Sequence, residues 1–351
     1  MEIHTKSIEQ RMDWLFALAR THSEHFTSPE SWLSRRRYLA EHPTAVLVLK
    51  CMDGRINIPV ATDTPPGIIQ PFRNLGGMFN LGWPHLGETL ARAVEQVVAS
   101  GRRALLLITY HFSKGDRHRG CAGFNYDTEA AIAHTRAIKA QVEHTFGVGH
   151  QTVYPLLCGF ETDEDALVLH GENGDTLSLA DLSSADVEAL PQRIEELFDD
   201  MPQQVRNDLV PLLRGNLAHI RKLHREPPRT LDIQHREWMI CVGRGFDFMH
   251  TPNMGLIIGP YSPDLAQPIY KAASIIEANM KHGRVPDDGF LLLASSPFEE
   301  HGVDRARATL KAQFLGEFAA SVIERQFPAL ATKMRRRTCV LDWHTRELVQ
   351  V

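Results

Sequence analysis

Cys51, Asp53 and Arg55 stand two residues apart from one another in AVLVLKCMDGR (45–55), and His111, His118 and Cys121 follow in ALLLITYHFSKGDRHRGCAGF (104–124). Two thiolates and one imidazole are ligands that zinc takes in tetrahedral geometry, and three protein ligands leave a fourth position for water. Thiolates are soft enough to favour zinc over magnesium or calcium. The expected set is Cys51, a histidine in the 111–118 stretch, and Cys121. Arg55 is expected to hold Asp53 by paired hydrogen bonds and so fix it as an acceptor toward the bound water. Zinc lowers the pKa of that water and produces hydroxide near neutral pH. Two thiolates donate more charge than three histidines would, so the water should be less acidic and activity should favour alkaline pH. Asp53 could also take the fourth position itself and close the centre, so that ligand stays open between water and Asp53.

These side chains need a frame. The six residues before Cys51 are mostly apolar and rich in Val and Leu, as in a buried strand of a parallel sheet. ALLLITY forms a second such strand, running into His111. Open α/β sheets place their chemistry at the carboxyl ends of strands, so the ligands are expected to converge on one crevice. Cys121 is expected to open a long helix through Phe146, with its thiolate stabilised by the helix dipole. Between the two strands, IPVATDTPPG reads as a loop and GIIQPF as a further strand leading into Arg73-Asn74-Leu75-Gly76-Gly77. Two adjacent glycines after a strand let backbone approach closely, to another element or to a ligand. HLGETLARAVEQVVASGRR is an amphipathic helix with basic residues in its last turn, and TVYPLLCGF with ALVLHG reads as a strand pair.

The rest of the chain supports this unit. Residues 1–44 read as an N-terminal helical arm, with Pro29 in the first turn of its second helix. Its Trp14, Leu15, Leu18 and Trp32 must be covered by the main domain or by a second subunit, which makes a homo-oligomer through this arm an expectation. Residues 45–171 form the catalytic α/β domain and 172–235 a helical connector without candidate site residues. Residues 236–351 repeat the first unit in an ordered series: EWMICVGRGFDF, GLIIGPYS, YKAASIIEANMKHGR, GFLLLASSP, a long helix ending VIERQF, then CVLDWHTRELVQV. Six corresponding elements in order imply internal duplication. The second copy lacks the ligands: Pro297 falls at the place of His111, no cysteine stands at the place of Cys121, and Cys241-Val242-Gly243-Arg244 carries no carboxylate. The fold class expected is therefore α/β, a mostly parallel central sheet flanked by helices, duplicated, with a helical arm.

Composition narrows the function. A hydrophobic fraction of 43% and a charged fraction of 23% over 351 residues are those of an ordinary globular chain with a sizeable core. The formal net charge of −5 gives no reason to expect a nucleic-acid partner. No stretch is apolar enough to span a membrane, and the charged N-terminus does not read as a signal peptide, so a cytoplasmic protein is expected. Five scattered cysteines make no disulfide framework. Cys158, Cys241 and Cys339 sit in apolar runs as small buried hydrophobes.

Cys51-x-Asp53-x-Arg55, the strand into Arg73-Asn74-x-Gly76, and a histidine with Cys121-Ala-Gly together resemble the β-class carbonic anhydrases, over residues 45–170. The ligand-less second copy further resembles the carboxysome shell carbonic anhydrases, which pair an active domain with a degenerate one. The resemblance implies zinc-dependent reversible hydration of CO2 to bicarbonate, a carbon–oxygen lyase activity, with a small-molecule substrate and possible packaging in a carboxysome. It also implies a small apolar pocket walled by the backbone of Asn74, Gly76 and Gly77 and by Ile69 and Phe72. The family places its histidine directly after the strand, with only two residues between it and the second cysteine. Here these criteria separate: His111 has the strand position and His118 the local spacing. His111 is favoured, because a sheet holds metal geometry better than a loop, which leaves His118 as a proton shuttle at the entrance or as the alternative ligand. The same residues would also suit a hydrolase of carbonyl sulfide or carbon disulfide, or a metal-retaining component of an inorganic-carbon uptake or carboxysome assembly that has lost turnover.

Overall fold

The computed structural model describes residues 2–226, 234–246, 251 and 253–351. Residues 227–233 of the expected connector, and Asp247 and Phe248 of the expected strand after Glu237, lie outside the described residues.

The chain opens with α1 (Ile8–Thr27) and α2 (Pro29–Glu41), followed by β1 (Ala45–Cys51), a short α3 (Ile58–Ala61) and β2 (Ile69–Asn74). Next come α4 (Pro84–Ala99), β3 (Ala104–Phe112), α5 (Thr128–Phe146), β4 (Val153–Glu161), β5 (Ala166–His170) and β6 (Thr176–Ser178). Three helices, α6 (Ser184–Glu188), α7 (Leu190–Leu197) and α8 (Gln203–Arg225), lead toward β7 (Met239–Gly243) and β8 (Gly255–Ile258). The remainder is α9 (Ala266–Lys281), β9 (Phe290–Phe298), α10 (Val303–Gln326), α11 (Pro328–Ala331), β10 (Met334–Asp342) and β11 (Leu348–Gln350). The fold is mixed α/β, with two mostly parallel sheets, helices beside them and helices at the N-terminus. It divides into two compact units, one of Leu33–Cys51 and Ile56–Ile233, the other of Met1–Trp32, Met52–Arg55 and Gln234–Val351.

The first unit holds a six-stranded sheet in the order β2-β1-β3-β4-β5-β6. β1 to β4 are mutually parallel, and β5 and β6 are added antiparallel. The interior strands are buried almost end to end, as their Val- and Leu-rich sequences require when both sheet faces are covered. The connection from β1 leaves toward β2 on one side, while β3 and β4 build outward on the other. This reversal of direction is the topological switch point at which such sheets form a crevice beyond the strand ends. Cys51 ends β1, and His111 is the penultimate residue of β3.

The second unit holds a five-stranded sheet in the order β11-β10-β9-β7-β8. Read from the other edge, its order and strand directions repeat β2-β1-β3-β4-β5: three parallel pairings, then one antiparallel. α1 belongs to this unit. Its N-terminus is closed by a Ser7–Gln10 capping box, and the buried Arg11 pairs with Asp288, donates to the Gly289 carbonyl and lies over the Trp238 ring. Leu15 is fully buried, and Trp32 is 52% exposed.

Two local features differ from the expectations. IPVATDTPPG contains a short helix, because Asn57 caps it and Pro59 suits a first turn. Cys121 does not open an α-helix. Ala122–Phe124 is a single 3-10 turn, Asn125 and Tyr126 both take positive φ, and α5 starts at Thr128 with Asp127 as its cap. The helix dipole is therefore not aimed at the Cys121 thiol.

Candidate metal centre

Within the first unit, the donor atoms of Cys51, His111 and Cys121 all lie within 4.8 Å of one another. All three residues are buried, at 5%, 2% and 3% exposure. Apart from the neighbouring Cys51 thiol, the ring nitrogens of His111 have no hydrogen-bond partner among the described residues. A buried imidazole left with an unpaired nitrogen is costly unless something else coordinates it. The hydrogen bond that the Cys51 thiol makes to the neighbouring Cys121, followed by burial, pushes Cys51 well above its ordinary pKa, and the nearby His111 works in the opposite direction. Two thiols crowded against an unsatisfied imidazole make a donor set that a soft divalent ion would relieve, since it binds the deprotonated thiols and the neutral ring. The residues present fit a tetrahedral metal with one open position.

The sheet fixes two of the three candidate ligands. Cys51 faces Asn74 across the β1–β2 ladder, and Thr109, two residues before His111, donates its hydroxyl to the Leu49 carbonyl at 2.9 Å. Arg73 donates to the Cys51 carbonyl at 3.3 Å and to the Ile56 carbonyl at 3.1 Å, and Lys50 donates to the same Ile56 carbonyl at 3.0 Å. Lys50 and Arg73 are each 1% exposed, so two cations are buried beside the cysteine and satisfied in part by backbone oxygens. Sequence reasoning gave neither a role. Their signal was a long basic residue inside each of two otherwise apolar strands. Asn74 binds the Met78 carbonyl at 2.7 Å, and Ile69, Phe72, Gly76 and Gly77 are buried.

His118 lies apart from this cluster. Its side chain is 80% exposed, 3.3 Å from Asp116, and edge-on to Tyr126. The 113–120 segment that carries it is braced by the β4–β5 turn. Glu161 accepts from the Lys114 amide, and Asp163 accepts from Ser113 and the Gly115 amide. Burial raises the pKa of Glu161, against the three backbone amides that favour its charge.

Asp53 and Arg55 belong to the second unit, and each is 5% exposed. Arg55 wraps the carboxylate: its amide donates at 2.9 Å, its Nε at 3.1 Å to both oxygens, and its Nη2 at 2.6 Å. The Met52–Gly54 backbone runs along the edge of β8, with Ile257 N–H to the Met52 carbonyl at 2.7 Å and Gly54 N–H to the Gly255 carbonyl at 3.1 Å. His235 stands close enough to feel both charges, Arg55 disfavouring its protonation and Asp53 favouring it. Burial opposes the charged ring, yet Glu237, fully buried with an oxygen 2.9 Å from Nδ1, holds its pKa above the ordinary value. Glu237 is steadied in turn by Asn279 at 2.8 Å. The His235–Glu237–Asn279 group was not found from sequence, because nothing local marks three residues spread over forty-five positions.

Residues 44–191 match a family described as carboxysome shell carbonic anhydrase, catalytic domain. That stretch resembles a carbonic anhydrase catalytic domain of the carboxysome kind. It contains Cys51, Asp53, Arg55, His111 and Cys121, and it ends before α8 and the second sheet. No curated protein matches the chain. Among solved structures, one described as the structure of the beta-carbonic anhydrase CcaA aligns with 11% identity over 50% of this chain and 94% of that one, at a TM-score of 0.36. No helix among the described residues is long and apolar enough to cross a membrane.

Proposed function

We propose that this chain is a carbonic anhydrase that hydrates CO2 reversibly with zinc held by Cys51, His111 and Cys121. The observation that carries the reading is the approach of these three donors within 4.8 Å, with a buried His111 that has no other partner among the described residues. When bound, zinc supplies Lewis-acid activation of water at near-neutral pH. Asp53, held as an acceptor by Arg55, takes a hydrogen bond from the attacking water and turns its lone pair toward CO2. The backbone of Asn74, Gly76 and Gly77, with Ile69 and Phe72, walls an apolar space suited to a linear, uncharged substrate. His118, exposed on the loop before Cys121, passes the released proton to buffer.

Several further readings stand beside this one. The domain plan is an arm over 1–44, a catalytic domain over 45–171, a connector over 172–235 and a degenerate copy over 236–351. The common strand order of the two sheets supports a duplication. The helical arm serves subunit contacts, and the family match supports residence in a carboxysome within the cytoplasm.

Stopped-flow CO2 hydration by zinc-loaded protein, run beside a carbonyl sulfide assay, tests the proposal. Rapid hydration that disappears with chelation and returns with zinc is the expected result. Hydration that survives complete zinc removal, or turnover of carbonyl sulfide alone, would overturn it.

A further inference from the structure

The three proposed ligands lie on three separate segments: the end of β1, the end of β3 and the turn before α5. One short loop touches all three. Leu75–Gly77 follows β2 with Gly76 and Gly77 both at φ 66. A methyl group placed on Gly77 would lie 2.9 Å from the Thr109 carbonyl oxygen, 3.5 Å from the Cys51 nitrogen and 3.6 Å from the Lys50 carbonyl carbon. The loop is thus pressed against Cys51 itself and against the residue two before His111. On its other side, a methyl group placed on Gly123, two residues after Cys121, would lie 2.7 Å from the Gly76 Cα and 2.9 Å from the Gly76 nitrogen. Those neighbours are backbone atoms, which cannot swing aside as a flexible side chain can.

We infer that Leu75–Gly77 is a spacer that sets the distance between the Cys121 segment and the Cys51 and His111 strand ends, and so tunes the metal affinity of this centre. The inference rests on the ligand assignment above. Its physical basis is that zinc bond lengths tolerate only a few tenths of an ångström, whereas the separation of these segments equals the thickness of the loop between them. With hydrogen alone at positions 77 and 123, the loop is as thin as backbone can be. A methyl at either contact must move Cys121 outward or move the loop against β1 and β3, because packed interiors transmit such displacement. Gly76, Gly77 and Gly123 are therefore positioning residues for the ligands.

The test measures zinc affinity by chelator competition, together with the ligand-field spectrum of the cobalt(II) form, for the full chain and for Gly123→Ala, Gly77→Ala and Gly101→Ala. Gly101 shares the left-handed conformation, at φ 72, but a methyl there meets nothing within 4 Å, so it controls for backbone strain without the contact. Gly123→Ala and Gly77→Ala are expected to lose about 10–100-fold in zinc affinity, the usual cost of disturbing groups that orient ligands. Their cobalt spectra should also depart from the tetrahedral pattern, while Gly101→Ala matches the unmodified protein. Thermal unfolding of the zinc-free proteins completes the measurement. Unchanged affinity in both contact variants, an equal loss in Gly101→Ala, or failure of both contact variants to fold without metal would overturn the inference. Failure of the unmodified protein to bind zinc would instead overturn the ligand assignment.

Discussion

His111 bears the most diagnostic single feature of the centre, a ring buried at 2% exposure whose nitrogens find no partner among the described residues beyond the Cys51 thiol. Cys51→Ala, Cys121→Ala and His111→Ala should each reduce bound zinc to below about a tenth of an equivalent, since two ligands rarely hold the ion against buffer. His118→Ala should retain full zinc, because that ring is exposed beside Asp116. Zinc analysis by mass spectrometry checks all four, and loss of metal in His118→Ala would reverse the assignment. Asp53→Ala separates binding from turnover. It should keep the zinc and lower kcat about 10–100-fold, as removal of a group that orients a bound ligand does. Unchanged kcat would remove the orienting role. At this scale the cluster of Cys51, His111 and Cys121 was legible because two thiols and an imidazole beside strand ends are chemically unusual together. Lys50 and Arg73 were less so, since only burial shows that their charges serve backbone carbonyls instead of solvent.

Elements decide whether those residues meet. β1 and β3 could be read directly, as unbroken apolar runs of strand length, and their ends deliver Cys51 and His111. The turn after Cys121 could not. Its break depends on positive φ at Asn125 and Tyr126, a choice of conformation that no hydrophobic period reveals. Likewise β6 is only three residues long and carries too little pattern to be seen. The segment Met52–Arg55 shows an element acting on chemistry within the second unit. It takes its shape from backbone bonds to β8, and Gly54 lies so close that a methyl there would sit 2.6 Å from the Gly255 carbonyl oxygen and 3.2 Å from the Thr251 carbonyl oxygen. Gly54→Ala should push this segment off the β8 edge and swing the Asp53–Arg55 pair with it. A fall in kcat of about 10-fold or more with zinc content unchanged is expected. Joint measurement of zinc stoichiometry and kcat checks it, and wild-type kcat would show that the pair is indifferent to its backbone anchor.

For the whole chain, the two units share a strand order but not a ligand set, so their common property under changing pH must come from buried titratable groups outside the metal centre. Half-buried histidines of this kind lie in both units, and His22 and His170 carry the largest shifts among them. Burial, with His25 and Arg346 nearby, lowers the pKa of His22 to about 4, and burial with Arg136 nearby lowers that of His170 to about 4. Both rings are neutral in the folded chain, whereas unfolded histidines protonate near 6.5. Acid therefore adds protons preferentially to the unfolded state. The contribution is complete above about pH 6.5 and is lost progressively as pH falls toward 4. Glu161 opposes this trend. Burial raises its folded pKa, so it accepts a proton in the folded state before it would in the unfolded chain, and acid favours the fold through this one group. Urea unfolding between pH 7 and 4.5 should show a falling midpoint. His170→Gln, which can still bond the Tyr110 hydroxyl that His170 meets at 2.8 Å, should recover about 1–2 kcal/mol of the loss at pH 4.5 after discounting for partial exposure, with little change at pH 7. Glu161→Gln should steepen the decline. A His170→Gln profile parallel to that of the unmodified protein would show that this ring titrates alike in both states, and the acid sensitivity would then have to lie with His22, the other half-buried histidines His4 and His134, and the carboxylates.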